Sequence, residues 1–417
     1  MTIKFFNNIT KQLEDFIPQK SIKIYCCGPT VYDDIHIGNS RPIIIFDALA
    51  CFLKNYYKDQ GIAVEYVRNI TDIDEKIINK VIQGGFVYKE FIQNQIKNFL
   101  SLMENFESFA TKNIRVTDHV IHIIEFIQLL IHKELAYVTD QGNVYFNTKK
   151  CPVYQCLSGA HRQNEESISV INESDKIHWE DFALWKRTLG WDHIHLEGNQ
   201  YYQGNSIFWS SPWGNGVPGW HIECSTIIRK YLGDTIDIHG GGQDLIFPHH
   251  DNEIAQCWAI NNEIFCKYWL HNGMVLINGK KMAKSTGNFI QLKDVVQDKD
   301  TGNILKYLIL STHYRQPLNF SQQKLLDAQN NVKKIKNFFS QYGHYYDDDQ
   351  YQQFHKKNLT HLLDPMAQDF NTVQGLNEVH RWIKQFKAVE KIGVQWETQQ
   401  YFFNVIFILE SFGLNLY

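Results

Sequence analysis

Four groups of residues have types and spacings that could do chemistry. The first is Cys27, Cys224, His249 and Glu253. Thiolate, imidazole and carboxylate are all zinc ligands. His249 and Glu253 are four apart, so on a helix both face one side. On residue type alone the alternative stands: Cys27 and Cys224 as buried thiols, and His249 as a histidine at a helix start.

The second group is the string Pro29-Thr30-Val31-Tyr32-Asp33-Asp34-Ile35-His36-Ile37-Gly38-Asn39. His36 could donate to a phosphate, and Gly38 lets a ligand approach the backbone; a loop histidine beside a tight-turn glycine is the plainer reading. The third is Lys280-Lys281-Met282-Ala283-Lys284-Ser285-Thr286-Gly287-Asn288, which suits a phosphate-binding loop or a solvated basic turn. The fourth is Asp237-Ile238-His239-Gly240-Gly241-Gly242-Gln243-Asp244, where Asp244 could meet ribose hydroxyls or the glycines simply turn.

These groups need elements to position them. Ile22 to Cys26 reads as a buried strand ending at Gly28-Pro29, followed by a helix from about Ser40 to Tyr57. Val64 to Ile70 reads as a strand and Asp74 to Ile82 as a helix. The pattern is helical from about Ile92 to Val138, irregular or antiparallel around 143–171, and loop-rich from 187 to 219. Alternation resumes with Thr235 to Ile238 and a helix from about His249 to Ile260. Strands alternating with helices imply a parallel sheet, and ligands bind at the carboxyl ends of its strands. From Ser321, a plausible N-cap, the chain reads as a helical bundle. Asp364-Pro365 reads as another helix start.

Composition narrows the class. The chain has 417 residues, with 44% hydrophobic and 21% charged. That excludes disorder and small disulfide scaffolds as overall classes. A formal charge of −4 excludes a globally basic nucleic-acid coat but leaves room for a local patch. Eight Cys without an export signal favour reduced thiols, so the expected location is the cytoplasm. The most apolar stretch, Val120 to Val138, is broken by charged and polar residues and is not a spanning helix.

Taken together, the strings resemble those of the cysteinyl-tRNA synthetases, which are class I aminoacyl-tRNA synthetases. The matches run in family order: Cys27-Gly28-Pro29-Thr30-Val31-Tyr32-Asp33, His36-Ile37-Gly38-Asn39, Arg68-Asn69-Ile70-Thr71-Asp72-Ile73-Asp74, Asp181-Phe182-Ala183-Leu184-Trp185-Lys186 and Pro218-Gly219-Trp220-His221-Ile222-Glu223-Cys224-Ser225. They continue with His239-Gly240-Gly241-Gly242-Gln243-Asp244-Leu245, Phe247-Pro248-His249-His250-Asp251-Asn252-Glu253, Trp269-Leu270-His271-Asn272-Gly273 and Lys281-Met282-Ala283-Lys284-Ser285. Asp369-Phe370-Asn371-Thr372 matches a string of the family's bundle.

The resemblance implies an α/β fold: a Rossmann-type parallel-sheet catalytic domain split by an insertion, then an α-helical bundle. It divides the chain into 1–95 and 216–317 (catalytic halves), 96–215 (insertion) and 318–417 (tRNA-binding bundle). It implies activation of L-cysteine with ATP to cysteinyl-AMP and pyrophosphate, then transfer to the 3′ end of tRNA-Cys. One Zn2+ would sit on Cys27, Cys224, His249 and Glu253 and select the substrate thiolate. Zinc favours thiolate over hydroxyl, whereas an apolar pocket discriminates small size differences by only about 1–3 kcal/mol. Cys27, Thr30 and Trp220 would surround the cysteine. Thr30, Asn69, Thr71, His239, Gly242, Asp244, Val275 and Lys284 would contact ATP or the adenylate. His36, Asn39, Lys281 and Lys284 would be catalytic, holding phosphates and stabilising charge as pyrophosphate leaves. Mg2+ would accompany ATP. The partners would be tRNA-Cys, cysteine and ATP, with no membrane, and the chain would be a monomer.

The sequence departs from the family pattern in places. Asn39 and Ala283 replace the usual His and Ser, and Val217 stands where an Arg is usual. The stretch from Arg187 to Ser210 is longer than usual. The chain stops at Tyr417, so the family's small anticodon-reading domain is expected to be absent. That leaves two alternatives: a cysteine ligase acting on a small amine, like the mycothiol-pathway relative, or a non-catalytic RNA-binding paralogue.

Overall fold

The computed structural model describes residues 2–110, 112–159, 175–188, 200–203, 206–277, 279–282 and 288–417. Five parallel strands form its central sheet, in the order Cys266–Asn272, Ile236–Gly242, Ser21–Cys26, Ala63–Ile70, Lys112–Arg115. The sequence predicts this: Ile22, Ile24, Tyr25 and Cys26 are buried, as expected of a strand covered on both faces. The chain leaves Ser21–Cys26 towards Ala63–Ile70 on one side and later returns to Ile236–Gly242 on the other. The carboxyl ends of Ser21–Cys26 and Ile236–Gly242 therefore meet at the point where strand order reverses, the place where open α/β sheets bind ligands.

The fifth strand, Lys112–Arg115, lies in a stretch that reads as helical in the sequence. Four residues, three of them polar, are too few to show a period of two. The parallel sheet thus continues into the range assigned to the insertion, whose antiparallel sheet begins at Ala136. Among the described residues that second sheet has six strands, including Val144–Phe146, Phe182–Arg187, Ser206–Trp209 and Gly216–Pro218. The last two replace the loops expected there. Buried Trp185 and Trp209 anchor them, so here burial rather than turn chemistry decides.

Helices supply the remaining positions. His36, in extended conformation, precedes the helix Ile37–Tyr57, and its backbone N–H donates to Asn39 Oδ1 at 3.2 Å. The helix Trp220–Leu232 starts after Gly219, where a Cβ would sit 2.0 Å from the Ala183 carbonyl oxygen. The helix Asp251–Asn261 follows a wider turn over Ile246–His250, so His249 stands just before the regular helix and Glu253 in its first turn.

A three-stranded sheet, Lys280–Lys281, Val275–Ile277 and Leu318–Phe320, joins the catalytic part to the bundle. Ser321 caps the helix Gln322–Tyr342 as expected, accepting from the Lys324 backbone N–H. Asp364-Pro365 opens only a single 3-10 turn; the long helix Thr372–Glu390 instead starts at Asn371, whose side chain accepts from the Gln374 N–H. Helix Gln395–Glu410 packs Phe402, Val405, Ile406 and Leu409 into the bundle core. No helix among the described residues is long and apolar enough to cross a membrane.

Candidate active site and metal centre

The strand Ser21–Cys26 delivers Cys27 one residue beyond its end, where the Cys27 N–H donates to the Gly240 carbonyl at 3.2 Å. The helix starting at Trp220 brings Cys224, and the turn before Asp251 brings His249 and Glu253. Cys27 Sγ lies 3.8 Å from Cys224 Sγ and 3.4 Å from Glu253 Oε1, and His249 Nε2 lies 3.0 Å from the same oxygen. All four residues are buried, and their donor atoms lie within 4.8 Å of one another. A tetrahedral zinc with bonds of about 2.0–2.3 Å has ligand–ligand edges of roughly 3.3–3.8 Å. The donor set and its spacing fit such an ion.

Electrostatics favour a cation at the same point. Burial opposes the thiolate at Cys224, yet the Cys27 hydrogen bond and His249 bring its pKa down to about 6. Burial opposes charge on His249 too, but Glu253 and then Cys224 raise it to about 10. Glu253 is pressed well below the usual carboxylate range: burial opposes its charge, but His239 and His249 overcome that. The negative charge of Glu253 and Cys224 thus draws positive charge to this point, which a metal ion would supply.

A second tier of histidines orients these groups. His221 Nδ1 lies 2.9 Å from His249 Nδ1, which leaves His249 Nε2 turned towards Glu253. His239 Nε2 lies 2.7 Å from Glu253 Oε2, and His250 bridges Cys27 (3.4 Å) and His271 (2.8 Å). Partners of this kind fix ligand tautomer and basicity. His239 and His250 form an overlapping donor set with Cys27 and Glu253. Of both sets only Cys27, which they share, lines the open cavity.

That cavity, of about 320 Å³, runs from Cys27 and Trp220 past Thr30, His36, Gly38 and Asn39 to Gly242, Asp244 and Val275. Eight of the expected residues, Cys27, Thr30, His36, Asn39, Trp220, Gly242, Asp244 and Val275, therefore converge on one cavity. Trp220 stacks on the His249 ring with centroids 4.2 Å apart, which places an aromatic wall against the metal cluster. Gly28 must be glycine, because a Cβ would lie 1.7 Å from the Asn69 carbonyl oxygen.

Three expected contacts lie elsewhere. His239 is fully buried beneath Glu253 and stacked on Trp269 (4.4 Å) instead of lining the cavity. Asn69 and Thr71 are buried behind the loop: the Gly28 N–H donates to Asn69 Oδ1 at 2.7 Å, and Asn69 Nδ2 donates to Thr71 Oγ1 at 2.9 Å. They brace the wall that carries Thr30, whose backbone bridges to Thr71. Lys281 belongs to the strand Lys280–Lys281, and Lys284 lies outside the described residues.

The family of tRNA synthetases class I (C) catalytic domain matches residues 13–330. Cysteine–tRNA ligase of Bacillus cereus (strain AH187) is 40% identical over 398 residues, covering 91% of this chain and 80% of that protein. The chain belongs to the class I cysteine–tRNA ligase family. The Listeria innocua cysteine–tRNA ligase is likewise 40% identical, over 92% of this chain and 80% of that protein. Two solved structures share the fold: Mycobacterium tuberculosis methionyl-tRNA synthetase with methionyl-adenylate (TM-score 0.61, 13% identity, 94% of this chain and 89% of that one), and an Agrobacterium radiobacter K84 LeuRS–tRNA–LeuAMS ternary complex (TM-score 0.66, 9% identity, 96% and 85%).

Sequence patterning does not single out His221, His250, His271 or Arg41. The first three stand inside matched strings, and the adjacent His249-His250 pair was the available signal. Arg41 gives no such signal. It is fully buried on the helix Ile37–Tyr57 and donates to the carbonyls of Gly273, Met274, His313, Tyr314 and Gln316. It ties the helix behind His36 and Asn39 to the strand end beside Val275.

Proposed function

We propose that the chain activates L-cysteine with ATP to cysteinyl-AMP and pyrophosphate, then transfers cysteine to the 3′ end of tRNA-Cys in the cytoplasm, acting as a monomer. The observation that carries the reading is the buried Cys27–Cys224–His249–Glu253 cluster, which reaches a nucleotide-sized cavity through Cys27, with Trp220 stacked on His249. Relatives named cysteine–tRNA ligase along most of the chain favour tRNA over a small amine as acceptor.

The four ligands would hold Zn2+, which when bound supplies a site that prefers the substrate thiolate to the hydroxyl of serine. Cys27 and Trp220 frame the side-chain end of the cavity, and Thr30 lines it as well. His36 and Asn39 lie at the start of the helix Ile37–Tyr57, whose positive dipole end favours an anion. Gly242, Asp244 and Val275 take the nucleoside end. Lys281 and Lys284 carry the charge that stabilises the departing pyrophosphate, with Mg2+ on the ATP. The substrate carboxylate is the nucleophile, so the protein's contribution is positioning and charge stabilisation. Residues 318–417 are assigned to tRNA binding.

The test is cysteine-dependent ATP–pyrophosphate exchange followed by charging of tRNA-Cys. Both are expected. Lys284→Ala should slow exchange while leaving bound zinc unchanged. Exchange without charging, together with cysteinylation of a small amine, would overturn the acceptor assignment.

A further inference from the structure

The string Asp369-Phe370-Asn371-Thr372 has no part in the activation chemistry above. Asn371 caps the helix Thr372–Glu390, and Thr372 Oγ1 donates to the Leu310 carbonyl at 2.7 Å. Asp369 and Phe370 are the unusual pair. Their φ angles are 57° and 47°, in the left-handed region that residues with a Cβ rarely adopt, a bulky ring least of all. Such a conformation persists only where the surroundings fix it. Phe370 is buried and packs on Phe52 of the helix Ile37–Tyr57, with ring centroids 5.4 Å apart. The Asp369 carboxylate is buried too, and both its oxygens are engaged. Oδ1 accepts from the Phe6 N–H at 2.9 Å and from the Tyr314 hydroxyl at 2.8 Å. Oδ2 accepts from Arg315 Nε and Nη2, each at 2.5 Å.

We propose that Asp369 is a positioning residue for ATP: it fixes the turn 313–316, and that turn sets the wall at the nucleoside end of the cavity. The inference rests on the ligase reading and adds a residue to it. Asp369 is outside the cavity lining, whereas Gly273, Met274 and Val275 belong to it. Turn and wall are bonded directly. The Gly273 N–H donates to the Tyr314 carbonyl at 2.8 Å, and Arg41 donates to carbonyls of both segments. The packing leaves no slack, since a Cβ on Gly273 would lie 2.5 Å from the Gln316 carbonyl oxygen. Close-packed groups transmit displacement, so a shift of Tyr314 and Arg315 reaches the wall. The charge-assisted contact from Arg315 makes the hold on the turn strong and directional. Cys27 and Trp220, at the cysteine end, stand on other elements, so cysteine affinity should not follow. A residue of the bundle thus shapes the nucleotide site.

The experiment uses Asp369→Asn in the full chain. Whichever way the amide turns, its NH2 group faces either the Phe6 N–H or the Arg315 guanidinium, and that donor loses its acceptor. In pyrophosphate exchange the KM for ATP should rise about tenfold, within the span that linked networks carry, while kcat and the KM for cysteine stay within about twofold. Tyr314→Phe removes only one bond to the carboxylate and should raise the KM for ATP about threefold, which decides the question if Asp369→Asn does not fold. Val379→Ala, in the bundle core, controls for lost stability: its Tm should fall while its KM for ATP does not move. The proposal falls if Asp369→Asn, or Tyr314→Phe in its place, leaves the KM for ATP unchanged. It falls also if the KM for cysteine rises in step, or if Val379→Ala raises the KM for ATP as much. Failure of the ligase reading is seen separately, because the unmodified enzyme would then show no cysteine-dependent exchange.

Discussion

The Sγ atoms of Cys27 and Cys224 lie 3.8 Å apart, although 197 residues separate them in the chain. One comes from the end of the first strand and the other from a helix that begins after the insertion. The distance is too long for a disulfide and suits two thiolates on one metal ion. Much of the protein's expected behaviour follows from this convergence.

Purified protein should carry about one zinc per chain by elemental analysis. Cys224→Ala should remove it, and chelation should abolish cysteine activation. Retention of full zinc by Cys224→Ala would exclude this residue as a ligand.

His221→Phe should weaken zinc binding about 10–100-fold without removing a ligand, because His249 loses the partner that orients its ring. Competition with a chromogenic chelator measures this. An unchanged affinity would show that the 2.9 Å contact does not set the His249 tautomer.

Arg41→Met should destabilise the fold by about 1–3 kcal/mol, since five carbonyls, those of Gly273 and Tyr314 in buried contacts, lose the guanidinium that ties them together. It should also raise the KM for ATP more than that for cysteine, because Gly273 and Met274 adjoin the nucleoside end of the cavity. Denaturant melts and pyrophosphate exchange separate the two effects.

Gly28→Ala should cost about 1–3 kcal/mol or fail to fold, since the new methyl would overlap the Asn69 carbonyl. Any soluble protein should show lowered Tm and cysteine activation reduced in proportion to the displaced loop.

Acid should loosen the bundle through His380. Burial and then Lys334 hold its pKa below the ordinary histidine value, and its Nε2 lies 2.8 Å from the Tyr307 hydroxyl. The unfolded chain therefore binds this proton more readily than the folded one. Its stabilising effect is complete above about 6.5 and is lost as pH falls through the lowered folded value. The Tm of His380→Gln should consequently fall less between pH 7 and 5 than that of the unmodified protein.

The sequence alone determined the chemistry on offer. Thiol, imidazole and carboxylate types, the four-residue His249–Glu253 spacing and the strand-then-helix context of His36 are local facts, readable because side-chain type and helix period are local. The Ser321 cap is legible for the same reason. What the tertiary structure decided concerns partners far apart in the chain. It placed His239 under Glu253 and outside the lining of the cavity, because the buried strand Ile236–Gly242 turns that side chain towards the helix Asp251–Asn261. It put Asn69 and Thr71 behind the Gly28 loop, gave Lys112–Arg115 to the parallel sheet, and surrounded Arg41 with carbonyls from two distant segments. Burial and hydrogen-bond satisfaction settle such choices, and both depend on which surfaces the folded chain brings together.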